Sequence, residues 1–147
     1  MMRSQLLLLG IAALVLVGLT GCGGGGPTSK VTGTVKLKDG RLVTTGKILF
    51  TGGPGNANGQ IQKDGSFIVG TYKVDDGAKP GTYTVVIVGA LEPDNRSQED
   101  IYARKGQAPK PLIHVKYEDA KTSDLKVEVK AGRNKFDLQL DSVAGAK

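Results

Sequence analysis

A single thiol, a single imidazole and a scatter of carboxylates make up the reactive chemistry of this 147-residue chain. The thiol is Cys22 and the imidazole is His114. A hydrolytic triad needs a histidine between an acid and a nucleophile held in a strained elbow. No such set assembles around His114, which sits beside Val115 in an apolar stretch and reads as a strand or loop residue. A zinc centre needs three or four ligands from His, Cys or carboxylates beside them, and one imidazole plus one thiol do not supply it. Asp75-Asp76 and Asp94-Asn95 could offer oxygens to calcium, but neither spacing is that of a calcium loop. Turn chemistry accounts for Asx residues beside glycines. The expectation is no catalytic residue, no metal site and no cofactor. Cys22 alone sits in a context that points to chemistry.

That context is the leader. Arg3 is the sole charge among residues 1–21, and Leu6 to Leu19 run for 14 residues without a charged or strongly hydrogen-bonding side chain. A membrane-spanning helix needs about 20 such residues, so the run is too short to span and suits the core of a secretory signal. Leu19-Thr20-Gly21-Cys22, with small residues before the cysteine, resembles the lipobox of bacterial lipoproteins. The resemblance implies that a diacylglycerol is placed on the Cys22 thiol and that cleavage follows Gly21. Cys22 then becomes the lipidated first residue. One acyl chain holds a protein only marginally, at about 0.8 kcal/mol per buried methylene, whereas two or three hold it durably. The expected address is extracytoplasmic, on a membrane through acylated Cys22. Gly rather than Asp at position 23 leans toward the outer over the inner membrane.

The expected layout is a signal peptide at 1–21 and the lipidated cysteine with a glycine-rich tether at 22–29. A single domain follows at 30–141, with a flexible tail at 142–147. Gly23 to Gly26 bury nothing that would offset their ordering entropy, so the tether reads as a spacer. Its seven residues after Cys22 reach roughly 24 Å at full stretch. Without the leader, 126 residues remain, with 19 basic against 14 acidic side chains, a formal +5. The lysines stand singly, no run of five like charges occurs, and no aromatics interleave with them. Nucleic acid is therefore not an expected partner. Lysines on outer faces and edges of strands account for the charge.

From residue 31 onward, apolar residues alternate with polar ones. Val31, Val35 and Leu37 share one face of a first strand, ended by Asp39-Gly40. Ile48 and Phe50 mark a second. Gly52 to Asn56 cannot be regular structure. Gly59–Gln62 and Ser66–Thr71 flank Lys63-Asp64-Gly65 as a hairpin, with Phe67 and Val69 inward. Thr82 to Val88 is apolar on both faces near its end, as a central strand would be. Leu125–Lys130 and Phe136–Leu140 close the set around the turn Ala131-Gly132-Arg133-Asn134. About seven short strands joined by glycine turns predict an all-β, antiparallel, Ig-like two-layer sandwich. Residues 90–111 form a long polar connection, with a helical turn predicted from Ser97 to Lys105.

In this order the segments resemble the carboxypeptidase regulatory-like, transthyretin-like (prealbumin-like) domains of small bacterial lipoproteins. Val31-Thr32-Gly33-Thr34-Val35 with Asp39-Gly40 is similar to that family's opening strand and turn. Gly46–Phe50 resembles its second strand, and Lys63–Phe67 its central hairpin. Gly77–Val85 resembles its loop and core strand, and segments from Val115 to Leu140 its closing part. The resemblance implies a fold and an address but no activity. Hydroxyisourate hydrolases, relatives of this fold, use several histidines and a Tyr-Arg-Gly-Ser terminus. This chain has one histidine and ends Val143-Ala144-Gly145-Ala146-Lys147. Collagen-adhesin repeats carry Lys–Asn crosslinks assisted by a buried acid. Lys36 and Asn134 suggest that pairing, but Lys36 and Glu128 both read as outward-facing.

The sequence thus predicts a non-enzymatic structural or interaction module of the cell envelope, with an envelope protein or glycan as partner. The oligomeric state stays open. Residues 51–58 and 90–111 are the expected contact loops. A glycan-binding module is the alternative. The chain has no Trp and four scattered tyrosines, Tyr72, Tyr83, Tyr102 and Tyr117, of which Tyr102 in the long loop is the candidate platform.

Overall fold

The computed structural model describes residues 27–93, 97, 99, 103 and 109–143. Cys22, the leader, Tyr102, Asp94-Asn95 and residues 144–147 lie outside the described residues. Among the described residues seven strands appear in chain order: β1 Lys30–Leu37, β2 Lys47–Thr51, β3 Ala57–Gln60, β4 Ser66–Ile68, β5 Gly81–Val88, β6 Lys126–Val129 and β7 Arg133–Leu140. They form a three-stranded sheet ordered β4-β1-β7 and a four-stranded sheet ordered β3-β2-β5-β6. The fold is an all-β sandwich, as the alternation predicts. Val31, Val35, Leu37, Phe67, Leu138 and Leu140 face inward from the first sheet. Ile48, Phe50, Tyr83, Val85, Ile87, Val127 and Val129 meet them from the second.

Phe50 is the hub of this core. Its ring centroid lies 6.4 Å from Phe67, 5.8 Å from Tyr83 and 6.3 Å from Phe136, all tilted or edge-on. Those geometries suit aromatic quadrupoles. The four rings come from β2, β4, β5 and β7, so one cluster joins both sheets. Gly33 in β1 leaves room for it. A Cβ there would stand 2.6 Å from Phe67 Cζ and would also run into the Phe136 carbonyl oxygen. Tyr83 is buried and donates its hydroxyl to the Lys79 carbonyl at 2.9 Å. β5 has the expected central place, between β2 and β6.

Two features correct the sequence reading. The sandwich is not wholly antiparallel, because β1 and β7 pair in parallel along their full length, Lys30 opposite Arg133 through Leu37 opposite Leu140. The reason is local. β6 ends at the same end of the sandwich where β1 begins, and the turn at 130–132 delivers β7 into the other sheet from that end. Asn134 holds this turn, accepting from Lys130 N at 2.9 Å and donating to Lys130 O at 2.8 Å. Arg133 and Asn134, expected in the turn, therefore already belong to β7.

The predicted hairpin at Lys63-Asp64-Gly65 also divides between layers. Its turn forms, with Gly65 at φ 76° and Asp64 accepting from Ser66 N. However, β3 pairs with β2 and β4 with β1. Bridges Ile61–Phe67 and Asn58–Gly70 lace the two strands across the layers. One lateral side of the sandwich is thus closed by backbone hydrogen bonds. β3 also begins two residues before the expected strand, taking Ala57 and Asn58 out of the predicted 51–58 loop, and β4 stops at Ile68.

Candidate functional site

The closed side carries a groove of about 590 Å³. Alternation along β3 and the residues just after it turns Ala57 and Ile61 inward and leaves Asn58, Gln60 and Gln62 exposed along the groove. Gln60 donates Nε2 to Gly46 O at 2.8 Å, which fixes the side chain and leaves Oε1 as an acceptor. Ser66 and Ile68 of β4 form the opposite wall, and Tyr72, Lys73 and Asp75 form one end. Three side-chain amides, the hydroxyls of Ser66, Thr71 and Tyr72, one aromatic ring, and Lys47 and Lys73 against Asp75 make a surface of small net positive charge suited to polar ligands. The Lys79 ammonium lies 5.7 Å from the Tyr72 ring centroid.

The loop at that end is held by one carboxylate. Asp76 accepts from Thr71 N at 2.6 Å and from Tyr72 N and Lys73 N at 3.1 Å each. Burial pushes the Asp76 carboxyl up, but the three amides outweigh it and hold the group below the usual carboxylate range. Thr71 Oγ1 donates to Gly77 O at 2.7 Å, and Asp75 takes a left-handed conformation at φ 64°. Asp76, weighed above as a calcium ligand, is thereby committed to backbone donors. Among the described residues no cluster of three metal-binding side chains occurs.

At the far end, a second polar cluster forms around Asp141. Lys38 Nζ lies 2.6 Å from its Oδ1 and Lys116 Nζ 2.8 Å from its Oδ2. The buried Tyr117 donates its hydroxyl to Oδ2 at 2.9 Å, and Lys116 Nζ reaches Asp124 as well, at 2.8 Å. Hydrogen bonds from Lys116, Lys38 and Tyr117 hold the Asp141 carboxyl well below its ordinary range. Asp124 first and Asp141 next hold the Lys116 ammonium well above its own. Amide formation between Lys and Asp needs a neutral amine and a protonated acid, so this pairing opposes crosslinking. Lys36 and Asn134 do not approach each other. Lys36 is opposite Gln139 and Asn134 opposite Val31, five residues apart along the ladder, or roughly 17 Å.

His114 is a cap. Its Nδ1 accepts from Lys116 N at 3.1 Å at the start of the 3₁₀ turn Val115–Glu118, and its own N–H donates to Asp141 O. Of the expected contact loops, residues 51–56 lie against β5. There Gly53 is so close to Tyr83 that a Cβ would stand 2.6 Å from the ring. The 90–111 connection is pinched at its neck by Glu92 N to Lys110 O at 2.8 Å and Leu112 N to Ala90 O at 2.9 Å. Within it Glu99 and Ala103 are helical, and most other members lie outside the described residues. A smaller hollow of about 300 Å³ lies beside that neck, between Arg41, Glu92, Lys110 and Val143.

The groove carries no strong mark in the sequence, where the long 90–111 connection stands out instead. The signal was the amide alternation Asn58, Gln60, Gln62, on a strand placed two residues late. Among the described residues no helix is long and apolar enough to cross a membrane. No protein-family model, no curated protein and no solved structure matches this chain.

Proposed function

We propose that this chain is an extracytoplasmic lipoprotein, anchored through acylated Cys22, whose sandwich is of the transthyretin-like kind. In this reading it is a non-enzymatic interaction module of the cell envelope. The amide-lined groove on the closed side is the observation that carries the reading. A general acid or base needs a pKa near the working pH. The resolved shifts among the described residues run the other way. Lys38, Arg41 and Lys116 are raised, and Asp39, Asp64, Asp76 and Asp141 are lowered. These groups are fixed in their charged states, which suits holding a shape. In support of the family reading, the resembling segments fall in β1 and its turn, in β2, in the β3–β4 turn, in β5, and in β6–β7 with the 3₁₀ turn before them.

A photo-crosslinking residue at Gln60 in living cells tests the groove, with one at Glu128 on the outer face of β6 as control. Adducts from Gln60 and not from Glu128 are expected. Equal labelling, or none, refutes the groove as the contact surface. Fatty-acid labelling that persists in Cys22→Ala refutes the anchor. The second reading, glycan binding, is favoured by Tyr72 beside the three amides. Tyr102, the earlier candidate, lies outside the described residues. Titration of muropeptides or cell-surface oligosaccharides should shift the amide resonances of Asn58, Gln60 and Tyr72. A silent titration disposes of it.

A further inference from the structure

We propose that the end of the sandwich from which the chain leaves toward Cys22 lies directly on the bilayer. Tyr72 and Val74 then enter the headgroup zone, and the bases around them rest on anionic phospholipid. The proposal rests on the lipid-anchor reading and adds to it an orientation and a second contact.

Register fixes which residues share that end. β1 starts there at Lys30 and β7 at Arg133. The turn at 130–132 and the loop at 70–78 lie beside them. Ser29 locks the exit to the loop, donating to Ala78 O at 2.7 Å and accepting from Ala78 N at 3.0 Å. Since Cys22 and Ser29 are separated by roughly 24 Å at most, an acylated Cys22 keeps this end close to the membrane.

The loop is shaped to project. Asp76 gathers three amides beneath it, and Val74 at its tip is 90% exposed, with Tyr72 at 53%. A rigid loop that holds valine in water forgoes the benefit of burying it unless another phase covers it. A valine and a tyrosine side by side suit the interface, where one end is apolar and the other wet.

Charge agrees. Lys30, Lys73, Lys79, Lys130 and Arg133 stand at this end against Asp75 and the amide-held Asp76, with Glu128 one step further in. Lys30, Lys73, Lys130 and Arg133 make no ion pair among the described residues. At the opposite end bases and acids are paired with one another: Lys38 with Asp141, Arg41 with Asp39, Lys116 with Asp124 and Asp141. Bases attract an anionic leaflet over about a Debye length, roughly 8–10 Å. The tether, with its reach of roughly 24 Å, lets the domain find the leaflet, and the bases hold it there once they meet.

The chain has no Trp, so one introduced indole reports alone. Val74→Trp and, at the opposite end, Leu42→Trp are purified from host membranes. They are then reconstituted into phosphatidylcholine vesicles with and without phosphatidylglycerol, carrying brominated acyl chains. Both sites are exposed, so neither change threatens folding. With phosphatidylglycerol, Val74→Trp should shift to shorter wavelength and lose most of its emission to the bromines, while Leu42→Trp keeps a water-like spectrum. A water-like, unquenched Val74→Trp in protein that sediments with vesicles overturns the contact and leaves the anchor standing. Equal quenching without phosphatidylglycerol overturns the role given to the bases. Protein that lacks lipid by intact mass and stays in the supernatant overturns the anchor, and the proposal with it.

Discussion

Replacing Phe50 tests whether one aromatic hub holds the two sheets together. Phe50 is fully buried and touches Phe67, Tyr83 and Phe136, whereas Phe136 is only partly buried. Phe50→Ala removes a whole ring from a site walled by both sheets, where collapse is limited, so a loss of about 3–5 kcal/mol is expected. Phe50→Leu keeps most of the volume but loses the ring–ring geometry, for about 1–3 kcal/mol. Phe136→Ala should cost about 1–2 kcal/mol, since part of its ring already meets water. Domain stabilities run to about 5–15 kcal/mol, so Phe50→Ala should leave a folded but fragile protein. Its Tm should fall by about 15 °C or more. Urea unfolding followed by far-ultraviolet circular dichroism measures all three, with an unchanged slope confirming that the denatured state is unaltered. If Phe136→Ala costs as much as Phe50→Ala despite its smaller buried area, Phe50 holds no special place in the core and the hub argument fails.

Three further predictions concern the two ends. The Asp141 carboxyl titrates lower in the folded state than the ordinary value near 3.9, so its contribution is complete above that value and is lost as pH falls below it. In Asp141→Asn the urea midpoint should fall at neutral pH, and its decline between about pH 5 and pH 2 should flatten. Some slope should remain, because Asp39, Asp64 and Asp76 are depressed too, and an unchanged acid limb refutes the assignment. Asp76→Ala removes the common acceptor of three amides, so hydrogen exchange should speed up at Thr71, Tyr72 and Lys73 and not at Phe50. Exchange that rises everywhere would mean global unfolding and refute a local role. Gly77→Ala, at φ 92° and with a Cβ 2.6 Å from the Ser29 carbonyl carbon, should cost about 1–2 kcal/mol and free the Ser29 and Ala78 amides. A neutral substitution would show that the tether exit is not locked.

Strand positions were legible because half-buried strands write their inner face at every second residue. Val31, Val35, Leu37, Ile48, Phe50, Val127, Val129, Leu138 and Leu140 are buried as the alternation predicts. Tyr83 was legible too, a ring to bury and a hydroxyl to satisfy. Partners were not. The same alternation serves a parallel or an antiparallel neighbour, so nothing in Arg133–Leu140 announces that it runs beside Lys30–Leu37. Lys63-Asp64-Gly65 fixes a tight turn but not whether the arms stay in one sheet. The Asp141 cluster joins Lys38, Lys116 and Asp124 from distant segments, and no local pattern marks a pair that only the closed fold creates.

The two lateral sides of the sandwich differ in a way that bears on where a partner can bind. On one side β3 and β4 are laced together, so their backbone groups are largely committed and only side chains are left to meet a partner. On the other side β6 and β7 are the edges of their sheets. An open edge offers backbone donors and acceptors to any strand, including one from another copy of the chain, and proteins blunt such edges with charge. Lys126 and Glu128 on β6, and Arg133, Lys135 and Asp137 on β7, are exposed, and β6 is only four residues long. A strand added there would bring its own side chains against that row of charges. Under the proposed function, selective binding would fall to the closed side, where Asn58, Gln60 and Gln62 project from a backbone that is already paired. Neutralising Lys126, Arg133 and Lys135 together should accordingly raise self-association by light scattering while leaving groove crosslinking at Gln60 unchanged. If it instead abolishes the Gln60 adduct, the partner is held at the open edge and the division of labour between the two sides is wrong.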